Sequence, residues 1–183
     1  MIRILDIFIS LMALVLTWPL LALLFFACWI DTRSPIFRQE RVGQYKKPFT
    51  LVKFRTMRPN VASIATHLVD PSAVTKLGHF LRRSKLDELP QLWNVLTGEM
   101  SLVGPRPCLF SQEELIDERD SRNVFNARPG ITGLSQINGI DMSTPKLLAE
   151  TDEQMLKEMG LSAYFTLILK TVTGSGSGDR IKR

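Results

Sequence analysis

Residues 82–107 read Arg82-Arg83-Ser84-Lys85-Leu86-Asp87-Glu88-Leu89-Pro90-Gln91-Leu92-Trp93-Asn94-Val95-Leu96-Thr97-Gly98-Glu99-Met100-Ser101-Leu102-Val103-Gly104-Pro105-Arg106-Pro107. Three cations precede the adjacent carboxylates Asp87 and Glu88, and a short apolar helix pattern follows and stops at Gly98. Proline has no N–H to give and sits best in the first turn of a helix, so Pro90 predicts a helix start with Asp87 near its N-cap. A competing frame takes Ser84 to Asp87 as a capping box, at the cost of placing Pro90 where an N–H is needed. Either frame leaves the carboxylates at a helix N-terminus, a place that favours anions. One account makes Asp87 a cap and Glu88 a solvated first-turn residue. The other is chemical: a cap needs one acceptor, whereas two carboxylates, three cations and the rigid Gly104-Pro105-Arg106-Pro107 bend suit an anionic substrate attacked by a carboxylate or held through a divalent metal.

The chain has 183 residues, enough for one domain with a modest core, and a net charge of +5. Residues 31–60 hold eight Lys/Arg against Asp31 and Glu40, a local charge of +6. A basic segment directly after an apolar run suits an anionic membrane surface better than a nucleic acid. Cys28 and Cys108 have no metal or redox spacing, and His67 and His79 are too few for a zinc site or a triad. Carboxylates therefore carry any chemistry.

Residues 7–30 contain no charge over 24 positions. At about 1.5 Å per residue a straight helix of that length reaches roughly 36 Å, enough to cross a hydrocarbon core of about 30 Å. Pro19 falls at the middle and opposes the carbonyl of Val15, so a kinked span and a re-entrant hairpin both fit. The basic residues that follow place the downstream chain on the cytoplasmic side in either case.

From Ser34 to Met57 two extended pieces separated by Gly43 to Lys47 predict a small β-hairpin. Lys53, Arg55 and Arg58 approach one another at its end, as solvated charges or as a phosphate-facing edge. Residues 59–75, with Pro59 and Pro71, read as loop with a helical turn or two. Lys76 to Arg83 is a basic amphipathic piece with Leu77, Phe80 and Leu81 on one side, suited to the headgroup region. Ser111 to Arg122 is a charged helix explained by a solvated face. Residues 128–136 form a loop and a short extended piece closing at Asn138-Gly139, without the glycine spacing of a P-loop or a dinucleotide fold. Leu147, Leu148, Thr151, Met155 and Met159 share a helix stripe that Gly160 ends. Leu161 to Val172 is too short to span and packs on the domain or lies in the interface. Residues 174–183 read as a flexible basic tail.

Taken together and in order, Phe37-Arg38-Gln39-Glu40-Arg41-Val42-Gly43, Lys53-Phe54-Arg55-Thr56-Met57, Leu86-Asp87-Glu88-Leu89-Pro90, Gly98-Glu99-Met100-Ser101-Leu102-Val103-Gly104-Pro105-Arg106-Pro107 and Arg128-Pro129-Gly130-Ile131-Thr132-Gly133 resemble the bacterial sugar transferases, the monotopic phosphoglycosyl transferases. The resemblance covers nearly the whole chain. It implies transfer of a sugar phosphate from a UDP-sugar to a polyprenyl phosphate such as undecaprenyl phosphate, with release of UMP and with Mg2+ as cofactor. It further implies that Asp87 is the nucleophile of a covalent aspartyl intermediate and that Glu88 holds or orients the metal beside it. By the same resemblance Arg82 lies near the lipid phosphate, Pro105, Arg106 and Pro107 near the nucleotide, and Lys53 in the active site; Arg55, on the phosphate-facing edge of the hairpin, is a further substrate-binding candidate.

The family's membrane element is a re-entrant helix broken at a central proline, which Pro19 matches. Two positions depart from the family: Trp18 stands where serine is usual, with Thr17 able to bond freed backbone groups in its place, and Tyr164 stands where aspartate is common. The expected architecture is α+β and helix-rich. Residues 1–30 form the re-entrant hairpin and 31–173 a catalytic domain with amphipathic interfacial helices on the cytoplasmic face of a bacterial inner membrane. A non-catalytic membrane-tethered adaptor needs the anchor but neither Asp87 nor Glu88. A nucleic-acid module does not need the apolar run.

Overall fold

The computed structural model describes residues 1–59 and 71–174. The tail 175–183 and most of the loop expected before residue 75 lie outside the described residues. Seven α-helices and two small sheets are present among those residues, a helix-rich α+β arrangement as expected.

Helix α1 runs from Ile2 to Thr32 with Pro19 inside it. Helical residues continue through Pro19, where a proline removes one hydrogen bond and its ring clashes with the carbonyl of Val15, the cause of a kink. A helix loses one N–H donor at proline while the bonds on either side persist. The Thr17 hydroxyl donates to the Ala13 carbonyl at 2.7 Å and not to the Val15 carbonyl whose helical donor Pro19 lacks, so the expected replacement bond is not made. Both ends of α1 pack on the same domain. Near its start, Ile2, Leu5 and Ile9 lie against a core that includes Leu92, Val95, Met100 and Leu102. Near its end, Leu24 and Cys28 pack with Phe54 and Leu81. Most of the other face, including Phe8, Leu16, Trp18, Leu23, Phe26 and Ile30, is exposed. By length and composition this helix is able to cross a membrane.

Strands β1 (Ile36–Val42) and β2 (Pro48–Phe54) form the predicted antiparallel hairpin, with Phe37 opposite Lys53 and Arg41 opposite Phe49. Helix α2 (Lys76–Ser84) is capped by Thr75, whose hydroxyl accepts from the Gly78 amide at 2.9 Å. Leu81 is buried and Phe80 exposed, so the three apolar residues expected on one side are divided between core and surface. Helix α3 (Gln91–Thr97) begins after Pro90, and Gly98 closes it in the left-handed conformation.

Strand β3 (Ser101–Val103) pairs in parallel with β4 (Gly130–Thr132). The two backbones are so close that a Cβ on Gly130 would lie 2.0 Å from the Gly104 nitrogen. Helices α4 (Glu113–Ser121), α5 (Leu134–Ile137), α6 (Pro145–Lys157) and α7 (Leu161–Val172) complete the described chain. Leu148 and Met155 of the predicted α6 stripe are buried, whereas Leu147 is exposed. Helix α7 has the two faces expected of an interfacial helix: Tyr164 and Leu167 are buried, while Leu161, Phe165, Leu169 and Val172 are exposed.

One polar cluster fastens α1 to this core. Asp6 is 2% exposed and its Oδ1 accepts from the Ser101 hydroxyl at 3.1 Å, the Leu102 amide at 3.0 Å and the Tyr164 hydroxyl at 2.8 Å. Burial first, and then the Asp6 carboxylate, push the Tyr164 hydroxyl far above its ordinary pKa, so it remains a donor. Arg3 adds bonds to the carbonyls of Leu96 at 3.1 Å and Met100 at 3.3 Å.

Candidate active site

Asp87 and Glu88 lie in a 3-10 turn, Leu86–Glu88, between α2 and α3. The N-cap of α3 is Pro90, so Asp87 is not the cap that the sequence frames proposed. The cause is local. Lys85 adopts the left-handed conformation at the end of α2. The chain then makes a tight turn, with the Glu88 amide donating to the Lys85 carbonyl at 3.2 Å, before the helix starts. Asp87 is 2% exposed, and Glu88 opens onto a cleft.

That cleft is lined by Arg41, Lys53, Glu88, Gln91, Arg106 and Pro107, with Leu51, Gly130 and Ile131. Three cations face one carboxylate, a balance that suits an anion. Arg106 Nη2 lies 3.5 Å from Glu88 Oε1. Lys53 is 7% exposed, with its ammonium 5.7 Å from the centre of the Phe37 ring.

The bend carrying Arg106 is held by its own backbone. The Pro105 carbonyl accepts from the Gly130 amide at 2.9 Å, an approach possible because neither Gly104 nor Gly130 has a side chain. The Arg106 carbonyl accepts from Arg119 Nη1 at 2.8 Å, and the Pro107 carbonyl from Arg41 Nη1 at 3.2 Å. The Cys108 carbonyl accepts from the Val42 amide at 3.0 Å. Four consecutive carbonyls are thus anchored.

Arg119 is itself buried and paired with Asp152, its Nη2 2.6 Å and its Nε 3.0 Å from Asp152 Oδ2. Ser135 donates to the other Asp152 oxygen at 2.6 Å. The Cys108 thiol beside this pair is pushed up by burial, against the pull of Arg119 and Arg41.

Of the residues expected from sequence, Lys53, Glu88, Arg106 and Pro107 converge on the cleft, and Asp87 adjoins it through its neighbour. Pro105 lies in a small adjoining cavity with Arg106, Pro107 and Arg119. Arg82 is 8% exposed and donates from Nε to the Thr56 hydroxyl at 2.8 Å. Arg55 faces elsewhere: its Nε donates to the Ser34 carbonyl at 2.9 Å, and it lines a separate cleft with Arg33 and Arg38. Arg58 is exposed beyond the hairpin.

Sequence reasoning missed Arg41, Gln91, Arg119 and Asp152. Arg41 was available in the pattern, because a strand that alternates faces places it on the same side as Gln39, to which its Nη2 donates at 2.6 Å. Among the described residues no group of three or more His, Cys, Asp or Glu is placed to hold a metal ion. Glu88 is the one carboxylate that lines the cleft, with Asp87 next to it in the chain.

An apolar helix long enough to cross a membrane is thus fastened to a small α+β domain, with paired carboxylates beside a cationic cleft. The profile of the bacterial sugar transferase family matches residues 1–176, and the chain belongs to that family. It is 35% identical to a UDP-galactose-lipid carrier transferase of Erwinia amylovora, over 93% of this chain and 39% of the relative. It is 42% identical to the UDP-glucose:undecaprenyl-phosphate glucose-1-phosphate transferase of Escherichia coli K12, over 91% of this chain and 38% of that protein. The enzyme of the same name from Caulobacter vibrioides is 34% identical over 93% of this chain and 67% of its own length. The chain thus spans about two fifths of the first two relatives.

Proposed function

We propose that the chain transfers a sugar phosphate from a UDP-sugar to a polyprenyl phosphate, with undecaprenyl phosphate as the acceptor, and releases UMP. The observation that carries this reading is the convergence of Arg41, Lys53, Glu88 and Arg106 on one cleft beside buried Asp87. The printed activities of the relatives supply the substrate classes.

In this mechanism an Asp87 carboxylate oxygen attacks the β-phosphorus of the UDP-sugar. The bond from that phosphorus to the oxygen bridging to the α-phosphate breaks, and UMP leaves with the electron pair. An oxygen of the polyprenyl phosphate then attacks the same phosphorus, the bond to Asp87 breaks, and the carboxylate is regenerated. Lys53 and Arg106 hold the donor diphosphate, and their positive charge offsets the charge gathering on the phosphoryl oxygens. The anchored backbone of residues 105–108 keeps Arg106 in place without reorganisation during the reaction. Arg82 receives the lipid phosphate. Mg2+ bound by Asp87 and Glu88 would neutralise the diphosphate as a Lewis acid.

The same reading sets residues 1–30 into the cytoplasmic leaflet of a bacterial inner membrane as a re-entrant element, with residues 31–173 on the cytoplasmic face. Its support is that Arg3 and Asp6 near the start of α1 and Cys28 near its end all pack on one domain.

The test is to incubate the purified chain with a panel of UDP-sugars and undecaprenyl phosphate and to measure UMP. Asp87→Asn removes the nucleophile while keeping a similar shape, and is expected to lose turnover without loss of fold. Turnover near wild type would refute the nucleophile. Glu88→Gln is expected to be severely impaired, and an unchanged magnesium requirement in that variant would remove Glu88 from the metal site.

A further inference from the structure

A second cleft lies at the C-terminal end of α1, apart from the carboxylates. Arg33, Ser34, Pro35, Ile36, Arg38 and Arg55 line it, and its open volume is about 500 Å³. It is a shallow depression, wide open to solvent. Three of its six lining residues are arginines and none is acidic.

Two of the three guanidinium groups are fixed in advance. Arg55 donates from Nε to the Ser34 carbonyl at 2.9 Å and from Nη2 to the Ile36 carbonyl at 3.4 Å, and lies 5.4 Å from the centre of the Phe37 ring. Arg33 stacks 5.5 Å from the Trp29 ring, and its backbone caps the helix in the left-handed conformation. Groups held in this way lose little freedom when a ligand arrives. The acid of the same turn, Asp31, accepts from the Thr75 hydroxyl at 2.6 Å, toward α2.

The C-terminal end of a helix carries a partial charge of about −0.5, which opposes an anion. Three guanidinium groups outweigh it. Trp29 and Ile30, exposed in the last turns of α1, continue the apolar surface up to the cleft. Tryptophan prefers the headgroup level of a bilayer, so the cleft opens where lipid phosphates lie.

We propose that this cleft binds the headgroup phosphate of an anionic glycerophospholipid, apart from the substrates of the carboxylate site. The bound lipid holds the end of α1 at the membrane surface. Each basic residue near an anionic bilayer is worth about fivefold in affinity, so loss of two arginines is expected to cost about 25-fold.

The test uses the purified full chain in nanodisc bilayers of phosphatidylcholine doped with phosphatidylglycerol of matched acyl chains, and native mass spectrometry of the lipids the protein retains. Arg33→Asn, a residue that tolerates the left-handed backbone, is combined with Arg38→Gln. Wild type is expected to retain phosphatidylglycerol at a concentration about 25-fold lower than the double variant, with no difference for phosphatidylcholine. Arg33→Lys with Arg38→Lys keeps the charge and is expected to retain most of the binding, which separates charge loss from misfolding. Equal retention of phosphatidylglycerol by wild type and the Asn/Gln variant overturns the site. If undecaprenyl phosphate displaces phosphatidylglycerol and the same variant weakens its binding equally, the cleft belongs to the acceptor and the phospholipid assignment falls. Neither measurement reads sugar-phosphate transfer, so failure here leaves the proposed activity standing.

Discussion

Asp152→Ala tests whether a buried ion pair holds the substrate bend. Arg119 and Asp152 have side chains 2% and 0% exposed, and the Arg119 guanidinium also donates to the Arg106 carbonyl. Removing the carboxylate strands a buried guanidinium and leaves the Ser135 hydroxyl without its acceptor, a loss of about 3–5 kcal/mol. At roughly 2–4 °C per kcal/mol for a chain of this size, the melting temperature is expected to fall by about 6–20 °C.

The double variant Arg119→Met/Asp152→Leu removes both charges together, which in buried pairs restores much of the stability. The Arg106 carbonyl then has no donor from α4. Melting above that of Asp152→Ala is therefore expected, with a raised KM for the UDP-sugar. Thermal unfolding in detergent and UMP release with varied donor read the two quantities separately. An Asp152→Ala protein melting within about 2 °C of wild type would refute the stability step. A double variant with wild-type KM would refute the positioning step.

Tyr164→Phe removes one of three donors to buried Asp6 and is expected to cost about 1.5–3 kcal/mol, read as a lower melting temperature. Tyr164→Asp sets a second carboxylate beside Asp6 and is expected to cost more; a melting point above that of the Phe variant would contradict this. Arg106→Ala is expected to weaken donor binding more than membrane attachment, and equal donor affinity in titration calorimetry would move the nucleotide elsewhere. A cysteine added at the N-terminus, with Cys28 and Cys108 replaced, is expected to be shielded from an impermeant periplasmic reagent, and labelling from that side would rule out the re-entrant topology.

What was legible in the sequence was local. Alternation and a turn gave the β1–β2 hairpin, and Gly160 divides α6 from α7 as expected. The β3–β4 pair escaped because three fully buried residues in β3 cannot display an alternation, and parallel partners 29 positions apart carry no turn signal. The charged helix at Ser111 to Arg122 was explained by a solvated face, yet Arg119 is in the core. Its partner Asp152 is 33 positions away on another helix, and burial of a charge depends on that non-local pairing. Pro90 permits a helix start and so points to Asp87 as the cap. It does not show that a separate turn comes first.

The topology of α1 was open in the sequence for the same reason. Pro19 lies at the midpoint of an apolar run, a pattern shared by kinked spans and re-entrant helices. The proposed re-entrant arrangement rests on the physical cost of parting Asp6 from its partners. Its carboxylate is buried against Ser101, Leu102 and Tyr164, partners 95 to 158 positions away. A spanning α1 would carry residue 6 away from a domain that Cys28 and Leu24 hold at the other end. It would break all three hydrogen bonds to a charged group, each worth about 1.5–3 kcal/mol, and leave the Tyr164 hydroxyl buried without its acceptor. The apolar face of α1 fits lipid under either arrangement, so the hydrophobic effect alone does not choose. The proposed topology therefore rests on one aspartate at the edge of the apolar run, whose meaning depends on partners far along the chain.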